Sequence, residues 1–190
     1  MAVFNLEDQL TFYMAYHSDK VNVLIHILCV PLIFITTIIL VCTTGPLVPL
    51  FATSGLNHYL NLGTFGAIGY ALFYVFLDPI VGGIVAPFIL SIPYISTNLI
   101  DKYGSTVVYT AGVLFVICWI AQFVGHGVFE KRAPALLDNL VQALVLAPFF
   151  VVYEFVFMFG FRPEFHEKLV ARVKLEIEKF KAQPGLQKSS

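Results

Sequence analysis

Four long apolar runs constrain this chain more than any other feature of its sequence. They occupy approximately residues 22–42, 60–77, 80–100 and 105–125. Because a helix needs about 20 apolar residues to cross the hydrocarbon core of a bilayer, the first, third and fourth runs are long enough to span it. The second run is slightly short and rich in glycine, which favours close contact between helices.

A fifth run, at approximately 137–161, also carries polar and helix-distorting residues: Asp138, Gln142, Pro148 and Glu154. A charge at the middle of a membrane costs about 2.5–3.5 kcal/mol even on the scale derived from insertion experiments. This run therefore either crosses the bilayer or re-enters and leaves on the same side. The expected fold is an all-α integral membrane bundle of four to five transmembrane or re-entrant helices, with short amphipathic helices at both ends.

Composition supports lipid as the solvent for much of the chain. Of its 190 residues, 58% are hydrophobic and only 12% are charged, whereas a typical soluble domain carries about 25% charged residues. The formal net charge of -1 gives no electrostatic basis for binding nucleic acid. The length predicts one integral membrane domain over 1–190, with an interfacial helix at 1–21, membrane helices at 22–161 and an amphipathic tail at 162–190.

The N-terminal segment has the pattern of a short helix that lies before the first span. Asn5 is placed to cap it, and Glu7 and Asp8 fall in the first turn, where the helix dipole favours acids. Four further residues recur at helical spacing and share one face: Leu6, Leu10, Tyr13 and His17. The pattern therefore places a histidine on the inward stripe of this helix.

Other short-range signals are structural. Tight turns are predicted at Asp78-Pro79 and at Asp101-Lys102. The three cysteines lie inside apolar runs without CxxC spacing, so we interpret them as packing residues. Lys131-Arg132 and the basic residues of the tail favour the cytosolic face. Both placements hold only if the fifth run re-enters, because a genuine crossing would put one of them on the opposite side.

Histidine placement carries the strongest chemical signal. His17 and His26 flank the start of the first span, and His126 follows the end of the fourth. If residues 22–125 make four crossings, the start of the first and the end of the fourth lie on the same membrane face, so these three residues can converge. By the same parity His58 lies on the opposite face, and His166 lies in the tail, so both are left out of the predicted site.

A neutral imidazole is a good ligand for iron, zinc or copper, and carboxylates orient it or complete the coordination shell. Gln122 and Glu130 stand four residues before and after His126, on the same side of a helix that continues through this segment. Three histidines and an acid would suit a mononuclear ferrous centre without haem. Taken singly, a histidine at a membrane interface is usually an amphipathic anchor, and the motifs alone predict no more than a candidate metal site.

Two segments resemble a known family, the fungal 2-hydroxy-palmitate dioxygenases. The first reads YHxxxxNxxIHxxxxP, from Tyr16 to Pro31, and the second contains GHGVFEKRAPAL, from Gly125 to Leu136. The resemblance extends over nearly the whole chain, although the middle spans match only in hydropathy. It implies an Fe²⁺-dependent dioxygenase that shortens a 2-hydroxy long-chain fatty acid by one carbon, with O₂ consumed and carbon 1 released as CO₂. In the family this reaction belongs to phytosphingosine breakdown in the endoplasmic reticulum membrane.

The resemblance also assigns roles to residues. It implies that His17, His26 and His126 bind the metal, at a site near the cytosolic face. Lys131 or Arg132 is a candidate partner for the substrate carboxylate, and Glu130 is a fourth ligand, a partner of His126 or a proton acceptor; these three complete the predicted catalytic group. The rival hypotheses are a membrane scaffold or lipid-binding protein with structural histidines, and a b-type cytochrome. No oligomeric state is predicted.

Overall fold

The computed structural model describes residues 4–47, 55–134 and 140–182, and all regular secondary structure within them is helical. The chain forms α1 (Leu6–Ala15), α2 (Lys20–Cys42), a single 3-10 turn (Asn57–Tyr59), α3 (Leu62–Leu77), α4 (Pro79–Tyr103), α5 (Ser105–Val124), a π-helical segment (Gly125–Glu130), α6 (Leu140–Met158) and α7 (Pro163–Lys181). The predicted all-α class is confirmed. Asp138, which the sequence places in the fifth run, lies outside the described residues.

Within the described residues, three helices are long and apolar enough to cross a membrane: Lys20–Cys42, Pro79–Tyr103 and Ser105–Glu130. They correspond to the first, third and fourth predicted runs. Large apolar side chains on these helices face outward, with Phe88 70% exposed and Tyr109 75% exposed. Exposing so much apolar surface to water is unfavourable, whereas contact with lipid is not. The membrane bundle predicted from composition is therefore confirmed.

The second and fifth runs form shorter apolar helices, Leu62–Leu77 and Ala143–Met158. The chain remains helical throughout Leu140–Met158, with Pro148 inside the helix. No chain reversal interrupts this described stretch, and the number of crossings stays a prediction.

The described residues separate into two compact units. The second unit, Leu32–Trp119, contains the pairing of α3 with α4. Asp78 caps the N-terminus of α4 by accepting hydrogen bonds from the amides of Ile80 and Val81 at 3.0 and 3.2 Å. A Cβ on Gly82 would overlap the backbone of Tyr74, so only glycine permits this close return of the chain. The turn predicted at Asp78-Pro79 is thus confirmed.

The turn predicted at Asp101-Lys102 is wrong. α4 continues through both residues to Tyr103, and the chain turns at Gly104, whose φ is 57°. A backbone with positive φ is readily adopted by glycine and disfavoured for residues with a Cβ. The glycine, rather than the charged pair before it, determines where the helix ends.

The first unit comprises the described residues of Met1–Pro31 and Ile120–Ser190. Here Asn5 caps α1 by accepting a hydrogen bond from the Asp8 amide at 3.1 Å, as predicted. α7 packs on α1, and its residues Leu169 and Val173 are buried. Arg172 of α7 donates hydrogen bonds to Glu7 and Asp8 at 3.0 and 2.5 Å. This unit contains all the residues of the candidate site.

Candidate metal centre

Three buried histidines meet inside the first unit. His17, His26 and His126 are 6%, 2% and 4% exposed. The centroid of the His17 ring lies 4.3 Å from that of His26 and 4.9 Å from that of His126, and the last two are 5.0 Å apart. One ligand atom from each ring lies within 4.8 Å of the others. The convergence predicted from membrane parity is therefore present, and three buried histidines so arranged could bind a metal.

Different parts of the fold supply the three rings. His17 lies in the short link between α1 and α2, His26 lies in the second turn of α2, and His126 lies in the π-helical segment. Only the α2 histidine has neighbours fixed by regular α-helical geometry on both sides. The positions of the other two rings depend on how the link and the π segment are held.

Two of the rings are oriented by their own backbones. The Nδ1 atoms of His17 and His26 lie 2.8 and 2.9 Å from the carbonyl oxygens of Tyr13 and Asn22, four residues earlier in each case. A carbonyl can only accept, so each Nδ1 must carry the hydrogen. The lone pair of each ring then resides on Nε2, as in histidines that bind metals through that atom.

Burial favours the neutral imidazole that metal binding requires. Desolvation, together with the neighbouring His26, lowers the pKa of His17 well below its ordinary value. The Tyr13 ring stacks on His17 with a centroid distance of 4.2 Å, and Phe150 covers Tyr13 at 4.3 Å. Burial also raises the pKa of Tyr13, so its phenol stays protonated. The link histidine is thus held neutral in an aromatic environment.

Several buried polar atoms in this unit have no hydrogen-bond partner within the described chain. They include Nε2 of His17, Nδ1 of His126 and Nε2 of Gln122. An unpaired buried polar group is costly, which makes such atoms candidates for contact with a ligand or ion. An orphaned Nε2 on a ring whose Nδ1 is already used is the state expected of a metal ligand before the metal binds. The donor set therefore fits a metal ion.

A π-helical segment places His126. The segment spans Gly125–Glu130 and ends where Lys131 adopts a left-handed conformation, its amide donating to the carbonyl of His126. π-Helical turns are rare and occur frequently at functional sites. The predicted helix does continue beyond Gly125 and Gly127, but the change of hydrogen-bond register removes the simple four-residue alignment of His126 with Glu130.

The carboxylate of Glu130 lies at the N-terminus of α2. It accepts hydrogen bonds from the amide and hydroxyl of Ser18 at 3.0 and 2.6 Å, from the amide of Asp19 at 3.0 Å and from the side-chain amide of Asn22 at 3.0 Å. Within the described residues, the cluster able to hold a metal consists of the three histidines and does not include this acid. The carboxylate is instead surrounded by donors.

The two cations after Glu130 have different surroundings. The guanidinium of Arg132 lies 3.6 Å from the centroid of the Tyr16 ring and donates to the carbonyl of Ala15 at 2.8 Å. The Lys131 side chain is exposed. Both residues border a cavity of about 390 Å³, whose walls also include Phe123, His126, Gly127 and Pro134. One candidate metal ligand, His126, and two cations therefore line the same cavity.

The three predicted metal ligands meet in one cluster. Glu130 and Arg132 contact the link that carries His17, and Lys131 borders the cavity beside His126. The excluded histidines lie elsewhere: His58 pairs with Asp101 at 2.7 Å, and His166 stacks on Phe157 at a centroid distance of 4.3 Å. Sequence reasoning did not assign roles to Ser18, Asp19 or Asn22. Asn22 belongs to the motif YHxxxxNxxIHxxxxP, and Ser18 and Asp19 form a short polar stretch directly before a span. Such a stretch indicates helix capping but does not identify a distant partner.

Comparisons with known proteins identify the family of the chain. A family model described as "2-hydroxy-palmitic acid dioxygenase Mpo1-like" matches residues 3–159. The protein named 2-hydroxy-palmitic acid dioxygenase MPO1, from Saccharomyces cerevisiae, is 39% identical over 167 residues, covering 85% of each chain. No solved structure matches the chain. The matched range 3–159 spans the positions of the three histidines and of Glu130, Lys131 and Arg132.

Proposed function

The chain belongs to the Mpo1-like family of 2-hydroxy-palmitic acid dioxygenases, and from this premise we propose that it is a membrane-embedded, ferrous-dependent dioxygenase. Its substrates would be a 2-hydroxy long-chain fatty acid and O₂. The products would be the fatty acid one carbon shorter, CO₂ and water. The substrate supplies all the electrons that reduce O₂, so the balanced reaction needs no external reductant.

The observation that carries this proposal is the buried cluster of three histidines. His17, His26 and His126 would hold the metal, with Nε2 as the free ring nitrogen on the first two. Three neutral nitrogen ligands suit a divalent transition metal and leave coordination positions for other groups. A bound ferrous ion would supply the redox chemistry and a chelation point for the substrate hydroxyl and carboxylate. The chain's own part is to orient the reactants and exclude water.

Lys131 is the better candidate for pairing with the substrate carboxylate. Arg132 already donates to a backbone carbonyl and stacks on an aromatic ring. Lys131 borders the cavity beside His126 and keeps an exposed ammonium group. The acyl chain would lie along apolar surface, where burial contributes about 0.8 kcal/mol per CH₂ group. We place the active site near the cytosolic face of the endoplasmic reticulum membrane, in the breakdown of phytosphingosine.

The test is a reconstituted reaction. The protein, purified in detergent, would be loaded anaerobically with ferrous iron and supplied with 2-hydroxypalmitate and O₂. We expect pentadecanoic acid by mass spectrometry from the wild type and none from His17→Ala, His26→Ala or His126→Ala. His58→Ala and His166→Ala are matched controls that should retain activity. Iron-loaded, folded wild type that makes no shortened acid would contradict the proposal.

Two rivals give different results in the same preparation. A scaffold with structural histidines would consume no O₂ and bind no metal tightly. A b-type cytochrome would show a Soret band, but the three imidazole rings already lie within 4.3–5.0 Å of each other. Rings in such mutual contact leave no gap for a porphyrin between two of them, which favours a bare ion over haem.

A further inference from the structure

We propose that Glu130 and Arg132 are positioning residues that clamp the His17 link against the π segment carrying His126. The inference rests on the proposed metal site, and it assigns Glu130 a role other than metal ligand or proton acceptor. We call these two residues the clamp. Both follow His126 closely in sequence, and both bind the short link Tyr16–Asp19, on which His17 is carried between α1 and α2.

Glu130 holds the side of the link that leads into α2. Its carboxylate accepts hydrogen bonds from the amides of Ser18 and Asp19, which precede the helix and have no other acceptor within the described residues. Asp19 in turn accepts from the amides of Val21 and Asn22 at 2.8 and 3.1 Å. Two carboxylates in series therefore satisfy the donors at this helix end, where the helix dipole also favours negative charge.

Arg132 holds the other side of the link. Ala15 is the last residue of α1, and its carbonyl accepts from the Arg132 guanidinium at 2.8 Å. A cation is favoured at a helix C-terminus for the same electrostatic reason that an anion is favoured at an N-terminus. The guanidinium also lies over the ring of Tyr16, the neighbour of His17, at 3.6 Å from the ring centroid. The clamp thus matches one charge to each of the two helix ends.

Close packing of Gly125 against α2 also holds the π segment beside the link. A Cβ built on Gly125 would lie 2.5 Å from Oδ1 of Asn22 and 3.3 Å from Cδ1 of Ile25. Asn22 is fully buried and donates its side-chain amide to Glu130 at 3.0 Å. Because Gly125 has no side chain, the π segment lies close enough to α2 for Glu130 to bind Asn22.

The mechanical consequence concerns His17 and His126. His17 lies on a link between two helices, and a link has more backbone freedom than a helix interior. The clamp ties this link, through Glu130 and Arg132, to the segment that carries His126. Groups that orient metal ligands in this way typically contribute 10–100-fold to metal affinity. The clamp would therefore set the distance between two ligands without contacting the metal.

Hydrogen exchange of the metal-free protein tests the clamp directly. With residue-resolved fragmentation, the Ser18 and Asp19 amides should exchange slowly in the wild type and at least tenfold faster in Glu130→Gln. The Val21 and Asn22 amides, whose acceptor is Asp19, serve as internal references and should change less. Glu167→Gln removes an exposed acid from α7 and is the matched control, with no change expected. Equal exchange of Ser18 and Asp19 in wild type and Glu130→Gln would overturn the proposal.

Cobalt binding then separates positioning from ligation. Titration of the detergent-purified protein with Co²⁺ should show 10–100-fold weaker binding for Glu130→Gln, with the d–d absorption at saturation unchanged from wild type. A changed spectrum at saturation would make Glu130 a ligand and overturn the assignment. Glu130→Asp, which keeps the charge, should recover part of the affinity. Wild type that binds no Co²⁺ would refute the metal centre, whereas the exchange experiment would still decide the clamp.

Milder and independent variants keep the test decisive if Glu130→Gln does not fold. Ser18→Ala deletes only one hydroxyl donor to Glu130 and should weaken Co²⁺ binding severalfold. Gly125→Ala should weaken it at least as much, because the added methyl displaces Asn22, whereas Gly112→Ala on α5 has open space and should not. Arg132→Lys should bind better than Arg132→Gln. Wild-type affinity in all of these clamp variants would refute the inference.

Discussion

Lys131 and Arg132 are adjacent cations, but Arg132 is held by contacts with Ala15 and Tyr16 whereas Lys131 is exposed. We therefore expect Lys131 to contribute more to substrate binding. Lys131→Gln should raise the KM for 2-hydroxypalmitate by roughly tenfold, which corresponds to about 1.4 kcal/mol of lost substrate binding. Since the chemistry should be unaffected, kcat should change much less. The measurement is steady-state O₂ consumption in detergent. Lys174→Gln, an exposed lysine of α7, is the matched control, and an unchanged KM for Lys131→Gln would remove this residue from the substrate site.

The convergence of the three histidines could be predicted from the sequence, but the hydrogen-bond partners of Glu130 could not. If residues 22–125 cross the membrane four times, parity places His17, His26 and His126 on one face. The four-residue alignment of Glu130 with His126 assumed an α-helix, and the π segment changes that register. The actual partners of Glu130 stand 108 to 112 residues away in sequence. Contacts at such separation follow from packing, which no local pattern encodes.

At the scale of elements, the docking of α7 on α1 is sensitive to pH. Hydrogen bonds from Lys168 and Arg172 lower the pKa of Glu7 below its ordinary value. A carboxyl with a lowered pKa in the folded state contributes stability above its unfolded pKa, of about 4.3, and loses it as the pH falls through the lowered value. We therefore expect α7 to become more susceptible to proteolysis below about pH 4.

Glu7→Gln should produce the same susceptibility at neutral pH. High salt should do so in part, because it screens exposed ion pairs. Glu176 pairs with Lys179 inside α7 itself at 2.7 Å, so Glu176→Gln is the matched control that leaves the contact between α1 and α7 intact. Limited proteolysis followed by mass spectrometry provides the measurement. Equal cleavage of wild type and Glu7→Gln would show that these ion pairs do not hold the helix.

Helix positions were the most predictable elements. The run expected at 22–42 is α2, Lys20–Cys42, and the run at 105–125 begins at the predicted residue and continues as far as Glu130. Apolar length decides these positions, because every backbone polar group inside a membrane must be satisfied within the segment. The turn expected at Asp101-Lys102 failed since local charge is a weaker determinant than the backbone freedom of Gly104.

At the scale of the whole molecule, metal binding should stabilise the fold. The three histidines come from positions 17, 26 and 126, and a ligand that binds only the folded state raises its stability by about 2.7 kcal/mol at one hundred times its Kd. Fe²⁺ or Co²⁺ should therefore raise the Tm of the purified protein, and a chelator should reverse the effect. His126→Ala should show no shift, whereas His58→Ala should keep it. If neither metal changes the Tm of the wild type, the scaffold hypothesis would be favoured.

The π segment also has an evolutionary implication. Such a segment arises when one additional residue is accommodated within an α-helix, so removing one residue restores the ordinary winding. A deletion between Gly125 and Glu130 would therefore leave the flanking chain in about its original orientation, but it would change where the side chains within this segment are placed. The apolar span before it would be unaffected. Loss of a single codon here would thus displace His126 or Glu130 from the position that the π winding gives it, while the membrane helices persist.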